Sequence, residues 1–363
     1  MTKPEITILT LDYPPEHGGV ARFLGNLTRE SAGRIEVIVP MGHALEGPGA
    51  VKAAKMLRRV WPHWWPMVRL ARGLKTKTVF VSHVFPLGTA VWLARLSGGP
   101  EYAILFHGLD IKLADNAWKR WLLRRISKKA KALFSNSEAT KLELLKNVPN
   151  AEVTVITPGI EPRETIPKQE ARRKLDLDGE TPIVLSVTRL VPRKGVDASL
   201  HAIARIQAKR QAEYVVIGDG PDGERLEKLA VEHRTKVRWI KDADDDEKWL
   251  WYAAADVFLL PVREEERDME GFGIVYLEAA LAGLPSIAGR SGGAGEAVRD
   301  GYTGLLVKPT SIDEIESAVL RLLDDKELQV RLGKQGRDRA LKDFKWADRW
   351  EEMKNRLRMP NEE

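Results

Sequence analysis

The chain has no cysteine among its 363 residues. That absence removes disulfides, thiolate nucleophiles and cysteine metal sites together, and it accords with a reducing compartment. No apolar run approaches the roughly 20 residues that a membrane-spanning helix needs. The N-terminus, MTKPEITILTLDYPP, carries no charged leader with an apolar segment behind it, and ITILTL reads as a strand. The expected location is the cytoplasm. A third absence is local: residues 47–100 contain nine Lys/Arg and no acid. Residues 1–160 hold 23 Lys/Arg against 12 Asp/Glu, in a chain whose net charge is only +6. This asymmetry predicts an anionic partner for the first half.

What is present is alternation. Short β-branched or aromatic runs at 6–11, 35–39, 78–81, 103–106, 132–135 and 153–156 are separated by amphipathic stretches such as 20–30 and 117–131. After 157–168, TPGIEPRETIPK, a proline-bearing linker, the alternation restarts. Strands are expected at 183–187, 214–217, 237–240, 257–260 and 285–288, and helices at 196–208, 222–233, 273–282, 311–323 and 326–343. The fold class is α/β, with two Rossmann-like doubly wound parallel sheets facing a cleft. The first domain spans 1–160 with the Trp-bearing tail 345–363 packed back on it, and the second spans 161–344. Ligands of such sheets bind beyond the carboxyl ends of the strands, so the motifs that matter lie on the turns after strands.

The first such turn, DYPPEHGGVARF, places Gly18 and Gly19 before a helix. It reads as a phosphate loop or as a plain strand–helix turn. FHGLD sets His107 directly after a strand. SVTRLVPRKGVD sets Arg189 and Lys194 at a strand end, two cations that suit a diphosphate, while Arg193 reads as solvent-facing. VVIGDGPDGERLE spells G-x-G-x-x-G with Gly218, Gly220 and Gly223, a dinucleotide fingerprint if taken alone. Pro221 and Asp222 argue instead for a turn and an N-cap. The richest stretch, DMEGFGIVYLEAALAG, carries Asp268 and Glu270 in a loop, Gly271 and Gly273 at a helix mouth, and Glu278 inside the helix. The amides of Phe272, Gly273 and Ile274 can hold phosphate oxygens, and the two carboxylates can accept from sugar hydroxyls. No D-x-D stands at a strand end, and Asp242, Asp244, Asp245 and Asp246 read as a solvated run. No metal is therefore expected.

Taken together, HGGVARF, FHGLD, RLVPRKG, VIGDGPDGERLE, ADVFLLP, EGFGIVYLE and SGGAGEAV resemble the retaining glycosyltransferases of family 4 with the two-domain GT-B fold, across nearly the whole chain. Among subgroups the motifs are similar to the bacterial phosphatidylinositol mannosyltransferases. The resemblance implies a nucleotide-diphosphate sugar as co-substrate and a glycan or lipid-linked acceptor. In it, Gly19 brings an amide to the donor phosphates, and Arg189 and Lys194 neutralise the diphosphate. Glu278 accepts from the ribose, Glu270 holds hydroxyls of the transferred sugar, and His107 contacts that sugar. GDP-mannose is the first expectation for the donor. Glycine positions 218–223 keep open the rival of a nicotinamide-dependent oxidoreductase.

In 52–77, Arg58 and Arg59 stand among Trp61, Trp64 and Trp65. Tryptophan interleaved with cations suits an anionic membrane surface. The alternatives are a helix with its tryptophans in the core, or a nucleic-acid patch. No nucleic-acid motif accompanies the segment, so no nucleic-acid partner is expected.

Overall fold

The computed structural model describes residues 4–15, 18–39, 51–53, 64–266 and 268–359. Arg58, Arg59 and Trp61 lie outside the described residues, as does the side chain of Trp64. The chain divides into two compact units, Met1–Gly159 with Lys345–Glu363, and Ile160–Phe344.

Unit 1 runs β1 (Ile6–Leu9), α1 (Gly19–Glu30), β2 (Ile35–Val39), β3 (Val51–Ala53), α2 (Trp64–Arg72), β4 (Thr78–Val81), α3 (Thr89–Leu96), β5 (Glu101–Phe106), α4 (Leu109–Lys112), α5 (Ala117–Lys129), β6 (Ala132–Ser135), α6 (Glu138–Asn147) and β7 (Val153–Val155). Its parallel sheet has the order β3-β2-β1-β4-β5-β6-β7. β1, β4 and β6 are buried at every position, which is why they read as continuous apolar runs and not as alternating ones. Asn116 and Ser137 start α5 and α6 by accepting from the amides of Lys119 and Thr140, each at 2.9 Å.

Unit 2 runs α7 (Lys168–Lys174), β8 (Ile183–Val187), α8 (Val196–Gln207), β9 (Glu213–Ile217), α9 (Gly223–Glu232), β10 (Val237–Ile240), α10 (Asp245–Ala254), β11 (Val257–Leu260), α11 (Ile274–Leu281), β12 (Ser286–Gly289), α12 (Ala294–Ala297), β13 (Gly304–Val307), α13 (Ile312–Asp324) and α14 (Lys326–Asp343). Its parallel sheet has the order β10-β9-β8-β11-β12-β13. Both sheets reverse their winding beside the first strand of the unit, between β1 and β4 and between β8 and β11, the positions where open α/β sheets hold ligands. Under unit 2, buried Asp256 ties three elements together. Its carboxylate accepts from Lys168 at 2.6 Å, Arg172 at 2.8 Å, Lys326 at 3.3 Å and the amide of Ile183 at 2.9 Å.

Three parts of the chain add to or differ from the sequence reading. The acids Asp242, Asp244, Asp245 and Asp246 are exposed, as expected of a solvated run, and the last three also start α10: Asp244 accepts from the amide of Glu247 at 2.7 Å, and Asp245, Asp246 and Glu247 fill the first turn, where negative charge is favoured. Asp222 occupies the N-cap position of α9, but its side chain binds Arg225 and makes no cap hydrogen bond. The linker region also ends in a short helix, α7, whose Arg172 turns inward to Asp256 and so hides its helical character from a hydrophobic-periodicity reading.

The last described helix, α15 (Trp346–Leu357), belongs to unit 1. Trp346, Trp350, Met353 and Leu357 are buried in one cluster with Phe23, Leu24 and Leu27 of α1. A Cβ at Gly159 would stand 2.6 Å from the Trp346 ring. Gly159→Ala is therefore expected to cost about 1–3 kcal/mol by overpacking, read as a lowered midpoint in thermal denaturation. An unchanged midpoint would show that α15 yields freely.

Candidate active site

In unit 2 the chain leaves β8 through Thr188–Arg189–Leu190, makes a short turn over Pro192–Lys194 and enters α8. Gly195 sits at φ 69°, and a Cβ there would collide with the carbonyl oxygen of Pro261 at the end of β11. The β8 turn is thus pressed against the loop that follows β11, and the amide of Arg263 donates to the carbonyl of Arg193 at 2.8 Å. That apposition brings the two halves of the site together. The Lys194 amine donates to Oε2 of Glu270 at 2.5 Å, and Arg193 forks between Glu270 and Oδ2 of Asp268, the latter at 2.7 Å. Glu270 is buried, which alone would raise its pKa. The opposing pull of Lys194 and Arg193 is greater and holds it below the usual range, so the carboxylate stays ionised. Arg189 is exposed and makes no ion pair among the described residues.

Beyond Glu270 the loop reaches Gly273 at φ 88°, the cap of α11. The amides of Ile274 and Val275 at the start of α11 have no acceptor within the helix, while that of Tyr276 donates to the Gly273 carbonyl at 3.0 Å. Gly292 and Gly293 fit against the backbone carbonyls of Glu270 and Gly271 respectively, where a Cβ would collide, and the Gly293 amide donates to Glu270 O at 2.9 Å. The SGGAG turn therefore braces the loop from behind. Phe272 is core, edge-on to Phe344 at 5.7 Å, so only its backbone faces the helix mouth as a candidate ligand group. Glu278 is buried on α11; its Oε2 accepts from the Tyr252 hydroxyl at 2.9 Å, and Lys248 lies 3.9 Å from Oε1.

The glycines of the G-x-G-x-x-G stretch have a packing role. A Cβ at Gly218 or Gly220 would run into the carbonyl of Thr188 or Leu190, and Leu190 N donates to Asp219 O at 2.9 Å. They let the β9 turn lie against the Arg189-bearing turn, a use that involves no dinucleotide.

In unit 1, Gly18 and Gly19 open α1, and a Cβ at either would meet no atom within 4 Å. Nothing described in the protein requires glycine there, which leaves that side open for a ligand. His107 follows β5. Burial, and next the neighbouring His83, push its pKa down to about 3, so the ring is neutral at ordinary pH. Its Nε2 is buried without a hydrogen-bond partner among the described residues. Asp110 fixes the turn by accepting from the amides of His107 and Gly108, each at 3.1 Å, and burial raises its carboxyl to about 6. At the ends of β1 and β4, Asp12 Oδ2 lies 3.2 Å from His83 Nε2, and His83 Nδ1 lies 2.8 Å from the Ser82 hydroxyl.

The structure gathers Lys194, Glu270 and Glu278 with the mouth Phe272–Gly273–Ile274 inside unit 2, and places Arg189 at the end of the same strand as Lys194. It corrects Arg193, which is a fork between two acids and no solvent-facing cation. A residue's sequence cannot show that a loop seventy positions later folds over it. The reading also missed Tyr252, Asp110, Asp12 and His83. Asp110 had a signal, in that it closes the FHGLD motif after a positive-φ glycine. Of the tryptophans in 52–77, Trp65 is 76% exposed at the start of α2, which takes it out of the core.

Two family models match the chain: glycosyltransferase family 4 over residues 17–164, and glycosyl transferases group 1 over residues 167–339. The chain is 32% identical to the GDP-mannose-dependent α-(1-6)-phosphatidylinositol monomannoside mannosyltransferase of Mycobacterium tuberculosis, with 94% of each protein covered. It is 32% identical to the enzyme of that name from Mycolicibacterium smegmatis, with 94% of this chain and 95% of the relative covered. In fold it is similar to sucrose-phosphate synthase from Thermosynechococcus elongatus, at TM-score 0.83 and 21% identity over 98% of each chain. Matches that run almost end to end leave no place for the oxidoreductase reading: the chain belongs to glycosyltransferase family 4 and is a hexosyltransferase of the GT-B fold.

Proposed function

We propose that the enzyme transfers mannose from GDP-mannose, with retention at the anomeric carbon, to a glycan or lipid-linked acceptor. The observation that carries the donor half is the Arg193/Lys194–Glu270 ion-pair cluster beside the open mouth of α11. It offers cations and amides for a diphosphate next to a carboxylate for sugar hydroxyls. Mannose, the guanine nucleotide and the lipid acceptor are supported by the names of the mycobacterial relatives.

In this reading Arg189 and Lys194 meet the charge that develops on the leaving diphosphate, and the amides of Phe272–Ile274 complete the cradle. Glu278, held by Tyr252, accepts from the ribose. In unit 1 the amide of Gly19, next to Gly18, serves the donor phosphates, and neutral His107 offers its ring nitrogen to the transferred sugar. The charge on the diphosphate is handled by side chains and amides, so the reaction proceeds without a metal and chelators leave the rate unchanged. The enzyme works from the cytoplasm on an acceptor at the inner leaflet.

The test is transfer or slow hydrolysis screened across GDP-mannose, GDP-glucose, UDP-glucose and UDP-N-acetylglucosamine, with NAD as a control ligand. Turnover with a UDP-sugar and none with GDP-mannose would overturn the donor assignment. Glu278→Gln is expected to weaken GDP-mannose binding about tenfold by loss of a charge-assisted hydrogen bond with a smaller effect on kcat. Unchanged affinity in calorimetry would remove Glu278 from the ribose.

A further inference from the structure

The outer face of α5 in unit 1 has no place in the chemistry above, and its composition is unusual. The inner face is satisfied: Leu122, Leu123 and Ile126 are buried in the core under α3. On the outer side Trp118 is 64% and Trp121 41% exposed, and their rings stack on each other with centroids 4.8 Å apart. The Arg125 guanidinium lies over the Trp121 ring at 5.5 Å. α5 carries no acid along AWKRWLLRRISKK, and Arg120, Arg125, Lys128 and Lys129 are exposed and form no ion pair among the described residues. A soluble surface helix gains nothing from two adjacent indoles in water, since exposed apolar patches mark interaction sites. Indoles prefer the boundary between apolar and wet phases, and an unpaired row of cations beside them is attracted to anionic head groups.

We propose that α5 docks unit 1 onto an anionic phospholipid bilayer, with Trp118 and Trp121 inserted at the head-group level and Arg120, Arg125, Lys128 and Lys129 against lipid phosphates. The charge selects this occupant. A second copy of the chain would set cation against cation, and a neutral bilayer would leave the four charges without partners. Among the described residues no helix is long and apolar enough to cross a membrane, so the attachment is interfacial. The described start of α2 adds exposed Trp65 to the same unit. The surface thus differs from the 58–65 segment singled out in the sequence.

The experiment is co-sedimentation of the full chain with phosphatidylcholine vesicles, with and without phosphatidylglycerol, at low and high salt. The wild type is expected to bind only the anionic vesicles, and salt is expected to release it. Trp118→Ala/Trp121→Ala and Arg120→Gln/Arg125→Gln are each expected to reduce partitioning about tenfold. Quenching of tryptophan emission by brominated lipid is expected to fall in the first variant. All four positions are exposed, and unchanged thermal midpoints verify that the variants fold. No wild-type binding, equal binding by both variants, equal binding to neutral vesicles, or preference for single-stranded nucleic acid over vesicles would each overturn the proposal. None of these readouts uses sugar transfer, so they stand or fall apart from the donor assignment.

Discussion

Lys194→Ala is expected to lower kcat for transfer by about 10²–10³ with the fold retained. The amine is buried at the turn after β8, and Glu270 is its hydrogen-bond partner at 2.5 Å. In the proposed reading, the donor diphosphate competes for that amine and frees the Glu270 carboxylate toward the sugar. Charge develops on the departing phosphate during bond cleavage, so the cation matters more in the transition state than in the bound ground state. The loss should fall on kcat more than on donor affinity, because in that reading Arg189 still meets the phosphates. Removing Lys194 also leaves a buried carboxylate with Arg193 as its remaining partner, which lowers stability. The double variant Lys194→Ala/Glu270→Ala separates the two effects: its stability should recover relative to Lys194→Ala, while its rate should not. A single variant within threefold of wild-type kcat in steady-state assays would remove Lys194 from leaving-group stabilisation.

The same turn shows what a sequence reader can and cannot see. Arg189, Lys194, Glu270 and Glu278 stand out because each lies just past a strand or in a helix after a glycine pair, and the parallel α/β pattern puts all such ends on one edge of a sheet. The strands were legible where burial on both faces makes them plainly apolar, as in β4 and β11. β3 and β13 were not: VKA is three residues with a lysine at its centre, and GLLV opens on a glycine and holds one β-branched residue. Arg193 was misread because its partners, Asp268 and Glu270, are far away in sequence and meet it only through the close approach at Gly195. The fingerprint Gly218–Gly223, taken alone, would mislead in the opposite direction. Glycine spacing reports a tight backbone approach without saying whether the object approached is a cofactor or the neighbouring turn. His83 and Asp12 belong to different strand ends, and their pairing depends on the strand order β1-β4, which no local motif records.

Asp256→Ala is expected to destabilise unit 2 by about 3–5 kcal/mol, the cost of leaving the buried Arg172 guanidinium uncompensated. Asp256 and Arg172 are each about 5% exposed at the side chain, and the carboxylate also holds Lys168, Lys326 and the Ile183 amide at the first residue of β8. Once it is truncated, the Arg172 guanidinium keeps the carbonyls of Ala254 and Gly179 but loses its counter-charge. The pH dependence follows from the same group. Burial would raise the Asp256 pKa, but Lys168 and the other donors outweigh it and hold it below the ordinary value. Such a carboxylate stabilises the folded state fully above its unfolded pKa of about 3.9, and the contribution vanishes as the pH falls through the lower folded value. Urea titrations across pH 7 to 3 should therefore show the gap between wild type and variant narrowing only at the acid end. A constant gap, or a loss below about 1 kcal/mol at neutral pH, a size typical of exposed pairs, would make Asp256 a surface-like ion pair and not the clamp on α7, β8 and α14.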